Sequence, residues 1–160
     1  ELKKLEQMHT LGEVNFDSVF IIDFGERLKS VLTSFMFSDV SNKKVNFFTI
    51  NQWFDETLFN ENAMQNLHFP SIDLVNLKKF NKKFSNQFNE KPNKVSILAY
   101  DALGLIYYCW VNNNFQFEKD QLYNNKGFKG LHGEFFIKNN QSLQKLKIYK
   151  ISKKKFIKVY

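Results

Sequence analysis

The chain has 160 residues, 43% of them apolar, and a formal net charge of +7. That length holds one domain with a real core and not two large ones, and that apolar content excludes general disorder. No stretch approaches the roughly 20 apolar residues that span a bilayer, and the opening Glu1-Leu2-Lys3-Lys4, without Met or an apolar run, reads as a cut inside a longer protein, not a leader. The positive charge invites a nucleic-acid reading. Against it, the basic residues are almost all Lys, with Arg27 alone, and they travel with abundant Asn and Phe, as AT-rich coding would produce. The aromatic residues (19 Phe, 6 Tyr, 2 Trp) sit mostly in apolar runs, not interleaved with Lys as stacking platforms. No nucleic-acid partner is expected. Cys109 is the only cysteine, so neither an internal disulfide nor a cysteine metal cluster can form.

In chain order, Ser18-Val19-Phe20-Ile21-Ile22 is a continuous apolar run that predicts a strand buried on both faces, ended by a turn at Asp23-Phe24-Gly25. Leu28, Val31, Leu32 and Phe35 share a helical face over about 26–37. Val45 to Ile50 is a second strand, which makes a β-α-β unit with a parallel pair. A short helix is predicted over 55–61, then a strand at Leu67-His68-Phe69 stopped by Pro70. From Asp73, Leu74, Leu77, Phe80, Phe84 and Phe88 recur at helical spacing, with Lys78, Lys79, Lys82 and Lys83 on a solvated side. Ser96 to Trp110 is apolar all round, which predicts a helix buried nearly all round; Gly104 in its middle costs about 1 kcal/mol against Ala. Asp101 is its lone charge, and its place near the N-terminal end suits the helix dipole. After Asn112-Asn113-Asn114 the chain is β: Gly133 to Ile137, then Leu146 to Ile151 and Phe156 to Tyr160, the last two alternating and joined by a turn at 152–155.

In an open parallel sheet, ligands bind beyond the C-terminal strand ends. Those ends offer Asp23 to pair an ammonium group, Asn51 and Gln52 as amide donors and acceptors, and Phe24 and Trp53 as flat walls. The set suits a small zwitterion. The competing account makes Asp23 a helix cap and Trp53 a packing residue. Tyr100, beside Asp101, is a further candidate. His9, His68 and His132 show no metal-ligand spacing, and there is no Gly-rich phosphate loop and no Gly-x-Ser-x-Gly elbow. No catalytic residue, metal or cofactor is assigned, and the chain is expected not to be an enzyme.

Lys91-Pro92, Leu98-Ala99-Tyr100-Asp101-Ala102, a long apolar helix and Phe128-Lys129-Gly130-Leu131-His132-Gly133 leading into a strand resemble the type I periplasmic binding proteins, among them the branched-chain amino-acid receptors of ABC transporters. Leu5-Glu6, Thr10 to Glu13, Phe16 to Val19, Gly25 to Leu28, Asp39-Val40 and Asn51 to Asp55 are similar to the penicillin-binding protein activator branch, lipoproteins of that fold. The resemblance implies the C-terminal part of an α/β fold: a parallel Rossmann-like sheet with flanking helices and C-terminal antiparallel strands. It implies three segments: 1–72 in the second lobe, 73–126 returning to the first, and 127–160 back in the second. It places Phe24, Asn51, Gln52 and Tyr100 at a ligand cleft, with Gln52 where transporter receptors often carry an acidic residue. The implied partners are an amino-acid or peptide-like ligand with an ABC permease, or a peptidoglycan synthase. The implied location is the periplasm, with a lipid anchor in the activator branch. The competing class is a cytosolic flavodoxin-like enzyme or signalling domain. The all-apolar helix adds an expectation of its own: one small sheet cannot cover it, so the fragment associates with a second chain or rearranges.

Overall fold

The structure, a computed structural model, describes residues 14–160. His9 and the matched residues from Leu5 to Glu13 lie outside the described part. Two compact units result: one holds the chain up to Ser71 together with Lys147–Tyr160, the other Ile72–Leu146. The strands after residue 127 divide between these units. Those before Lys147 cluster with the helices, because their apolar face packs on the last helix, and only the final hairpin returns.

In the first unit, β1 (Ser18–Ile21), α1 (Gly25–Phe37) and β2 (Asn46–Thr49) form the expected β-α-β unit. The five-stranded sheet runs β1-β2-β3-β7-β8, with β3 at His68–Ser71, β7 at Lys147–Ser152 and β8 at Lys155–Lys158. β1, β2 and β3 are parallel, whereas β7 and β8 are added antiparallel. Leu28 and Leu32 of α1 are fully buried, and Phe35 meets Phe47 at 5.4 Å between ring centres. Phe54, Phe69, Tyr149 and Phe156 form an aromatic cluster under the antiparallel side.

Three expectations change here. β1 is an edge strand with one open face: Ile21 is buried, but Phe20 is 64% exposed. An apolar run reports hydrophobicity on both faces, not what covers them. Residues 55–61 form no α-helix; two 3-10 turns, Glu56–Leu58 and Asn62–Met64, take its place. Pro70 does not stop β3. It pairs opposite Ile148 of β7, while the ladder to β2 has its register pair at His68, so the missing N–H falls past that ladder.

In the second unit, α2 (Leu74–Phe88) is capped by Asp73, whose carboxylate accepts from the N–H groups of Val75 and Asn76. It ends at Asn89, in the left-handed region at φ 53°. α3 (Ser96–Asn112) follows, then an antiparallel sheet of β4 (Phe128–Gly130), β5 (Gly133–Lys138) and β6 (Gln141–Gln144). Leu105 and Cys109 of α3 pack on Phe135, with Phe128 and Ile137 around them. α3 is not buried all round: Ile97, Asp101, Leu105 and Cys109 form its buried stripe, and most of its other apolar residues face solvent.

Candidate functional site

Five of the six sequence-predicted residues come together at the C-terminal ends of β1 and β2. Asp23 follows β1, and its main-chain carbonyl is the hub of the loop: it accepts from Thr49 Oγ1 at 2.9 Å and from Gln52 Nε2 at 3.0 Å. Gln52 is buried, and its Nε2 also reaches Thr49 Oγ1 and the Ile50 carbonyl. A buried amide needs such partners, since an unmade bond costs about 1–3 kcal/mol. Asn51 Oδ1 accepts from the Trp53 N–H at 2.8 Å and from Ser71 Oγ at 2.9 Å, so it ties the β2 end to the β3 end. Gln52 Nε2 and Asn51 Oδ1 are thus engaged in holding the loop.

The Asp23 carboxylate accepts from the N–H of Phe24 at 2.8 Å and does not cap α1; Phe24 occupies the N-cap position. Gly25 sits at φ +61°, which a side chain resists, so glycine makes this turn from strand to helix. The turn leaves the Phe24 ring 66% exposed. Trp53 and Phe54 both take positive φ, 49° and 54°, an uncommon conformation for bulky residues. Phe54 is held in it by the aromatic cluster, with Tyr149 at 4.9 Å and Phe156 at 5.2 Å. Trp53 is left half-buried. The rim therefore presents one carboxylate and two rings, over a backbone fixed by Asn51 and Gln52.

Tyr100 lies in the second unit, on α3. Its ring meets Phe80 of α2 edge-on at 5.8 Å, and Lys83 Nζ stands 6.0 Å from its centre. It helps line a groove with Phe84, Phe88, Ala99 and Leu103, edged by Lys79 and Lys83.

Asp101 departs from the helix-dipole reading. It is buried, accepts from the N–H groups of Leu131 at 2.9 Å and His132 at 2.8 Å, and pairs with His132 Nδ1. Nδ1, facing a carboxylate, carries the ring proton. Burial pushes the Asp101 carboxyl up, but the His132 ring and the two N–H donors outweigh it and hold the pKa below the ordinary value. His132 is the residue that sequence reading passed over. The available signal was the pair of motifs themselves, a lone acid in an apolar helix and a Gly130-x-x-Gly133 turn needing an acceptor. Gly130 is required, because a Cβ there would collide with the Asp101 carboxylate.

His68 packs against Phe48 with the ring centres 5.1 Å apart and the planes tilted by 30°, and its pKa is lowered, chiefly by burial, with Lys150 adding to it. Burial raises the Cys109 thiol. Among the described residues no group of three or more His, Cys, Asp or Glu could hold a metal, and no helix is long and apolar enough to cross a membrane.

A mixed sheet with three parallel strands, α1 crossing between the first two and an antiparallel hairpin at the far edge, together with a unit of two helices and a small sheet, has the fold of the C-terminal part of a type I periplasmic binding protein. An ABC transporter substrate-binding protein from Desulfitobacterium hafniense in complex with Leu superposes with a TM-score of 0.60 at 13% identity, covering 99% of this chain and 46% of its own. The C-domain of LpoA from Haemophilus influenzae, a regulator of PBP1A, superposes at 0.60 and 12% identity, covering 99% and 48%. A leucine-binding protein from Thermotoga maritima gives 0.54 at 14% identity, covering 90% and 44%. The chain therefore spans about half the length of these solved structures. No protein-family model matches the sequence, and no curated protein does.

Proposed function

We propose that the chain is part of a non-catalytic periplasmic ligand-binding module for an amino acid or a related small zwitterion, of the kind that serves an ABC permease. The observation that carries this reading is the rim at the C-terminal ends of β1 and β2. The Asp23 carboxylate stands there beside the open Phe24 ring and Trp53, on a loop fixed by Gln52. A carboxylate between flat apolar walls takes up an ammonium group with an apolar side chain. Solved structures of this fold include one holding Leu.

Binding stabilises a folded protein by RT ln(1 + [L]/Kd). A thermal-shift panel of amino acids and short peptides on the complete protein is expected to give at least one saturable rise in Tm, removed by Asp23→Ala. No rise with any member sinks the reading.

One observation favours a second reading, a lipoprotein regulator of a peptidoglycan synthase. Gln52 is neutral, buried and bonded through Nε2 to the chain's own atoms, so it adds no charge for an amine. That reading expects co-purification with a penicillin-binding synthase and a flat thermal-shift panel. Retention of neither synthase nor ligand would remove both.

A further inference from the structure

In the second unit, the 3-10 turn Lys119–Leu122 and the chain that follows it line one side of a depression of about 590 Å3, and the tip of the β5–β6 hairpin lines the other. Small-molecule sites run to roughly 300–1,000 Å3. The Tyr123 hydroxyl ties the two sides together, donating to Asn140 Oδ1 at 2.6 Å across 17 positions of sequence. That bond also sets what the depression offers. With the Asn140 amide oxygen taken, its Nδ2 hydrogens are left to donate. Asn124 is in the same state, its Oδ1 accepting from the Lys126 N–H at 2.9 Å. Lys119 and Lys138, both exposed, add two ammonium groups, and neither makes an ion pair among the described residues. No acidic residue lines the depression. Its wall is therefore rich in N–H donors and poor in acceptors, beside the rings of Tyr123 and Phe136.

We propose that this depression binds an acidic saccharide, a sugar carrying a carboxylate or phosphate group. Two ammonium groups and two amides with only N–H left call for a negatively charged group rich in acceptors. A neutral sugar leaves both lysines without a counter-charge, and an amino acid brings an ammonium group of its own beside them. The side-chain amides of Asn125 and Asn139 line the same depression and have no partner among the described residues. Each offers both a donor and an acceptor, which suits hydroxyl groups that do the same. The Tyr123 ring is 38% exposed, and the negative face of an aromatic ring attracts the weakly positive C–H side of a sugar. All of these residues lie in the second compact unit, whereas the strand-end rim lies in the first, so this site does not rest on the amino-acid reading.

The test titrates the complete protein with glucuronate, glucose 6-phosphate, glucose and inorganic phosphate, following backbone and side-chain amides by NMR. The expected result is saturable shifts clustered at 123–125 and 138–140 with at least one acidic sugar, at a Kd below roughly 1 mM, and binding at least about tenfold weaker for glucose and for phosphate. Which acidic sugar binds separates a carboxylate source from a phosphate source. Lys119→Gln combined with Lys138→Gln should weaken that sugar at least about tenfold. Tm should stay within about 2 °C, because both side chains are exposed and unpaired. Tyr123→Phe, which removes the bond that orients Asn140, should weaken it about threefold or more. Asp23→Ala should leave it unchanged, so failure here and failure of the strand-end reading are told apart. Glucose binding as tightly as the acidic sugars overturns the anionic group, and phosphate binding as tightly overturns the sugar body. Full affinity in the double lysine variant, shifts confined to other residues, or no shift with any probe up to about 10 mM overturns the site.

Discussion

Replacing Asp101 with Ala removes one carboxylate and orphans three donors at once: the N–H groups of Leu131 and His132 and the His132 ring. His132 is buried and Leu131 half-buried, so water re-solvates the second N–H more readily than the first. A buried donor left without an acceptor costs about 1–3 kcal/mol, which puts the total for the two His132 donors at roughly 2–6 kcal/mol with Leu131 discounted. The loss falls on the second unit, about 75 residues long, where 1 kcal/mol moves Tm by about 4–8 °C. A fall of roughly 10 °C or more in that unit's transition is expected, with amide exchange at Leu131 and His132 at least tenfold faster. The pH dependence follows from the depressed pKa. A carboxyl whose folded pKa lies below its unfolded value, about 3.9, stabilises fully above that value. The contribution disappears as pH falls through the folded pKa. Protection at Leu131 and His132 should therefore be level from neutral pH down to about 5 and fall below about 4, after correction for intrinsic rates. A Tm change under about 2 °C with unchanged exchange would refute the reasoning.

Gly130→Ala attacks the same latch sterically, since its Cβ meets the Asp101 carboxylate; it should reproduce the faster exchange at 131–132 and add little to Asp101→Ala in the double variant. Cys109, 2% exposed with its thiol pKa raised by burial, should react with a thiol reagent at neutral pH only at the rate of unfolding, and an immediate stoichiometric reaction would contradict the packing on Phe135. Lys153 and Lys154 turn the β7–β8 hairpin at φ 48° and 59°, so Lys153→Asn with Lys154→Gly should stabilise the first unit by about 1 kcal/mol, read by denaturant midpoint.

The β-α-β unit, both long helices and the final hairpin were legible because each shows either an apolar period or an apolar run of the length its element needs. β6 was not: Gln141-Ser142-Leu143-Gln144 carries one apolar residue, and its strand is imposed by pairing with β5 across Asn139-Asn140. Those two asparagines sit at φ 52° and 60°, the left-handed pair of a type I′ turn, and were the available signal. At the candidate site, the position of Asp23, Phe24, Asn51, Gln52 and Trp53 follows from strand ends and could be read directly. The division of labour among them could not. Which amides serve the chain and which side chains face outward depends on a carbonyl hub at Asp23, and side-chain chemistry carries no trace of it. Likewise the apolar sequence of α3 says that both faces avoid water, but not which face this chain itself covers.

The two tryptophans fall one to each compact unit, Trp53 after β2 and Trp110 near the end of α3. Each half of the chain thus carries its own fluorophore. Trp53 reports on the loop held by Gln52, and Trp110 on the solvent-facing apolar side of α3. Single-tryptophan versions, Trp53→Phe and Trp110→Phe, make the two halves spectroscopically separable without an added dye. One variant would then read occupancy of the strand-end rim through Trp53, and the other the solvent access of α3 through Trp110.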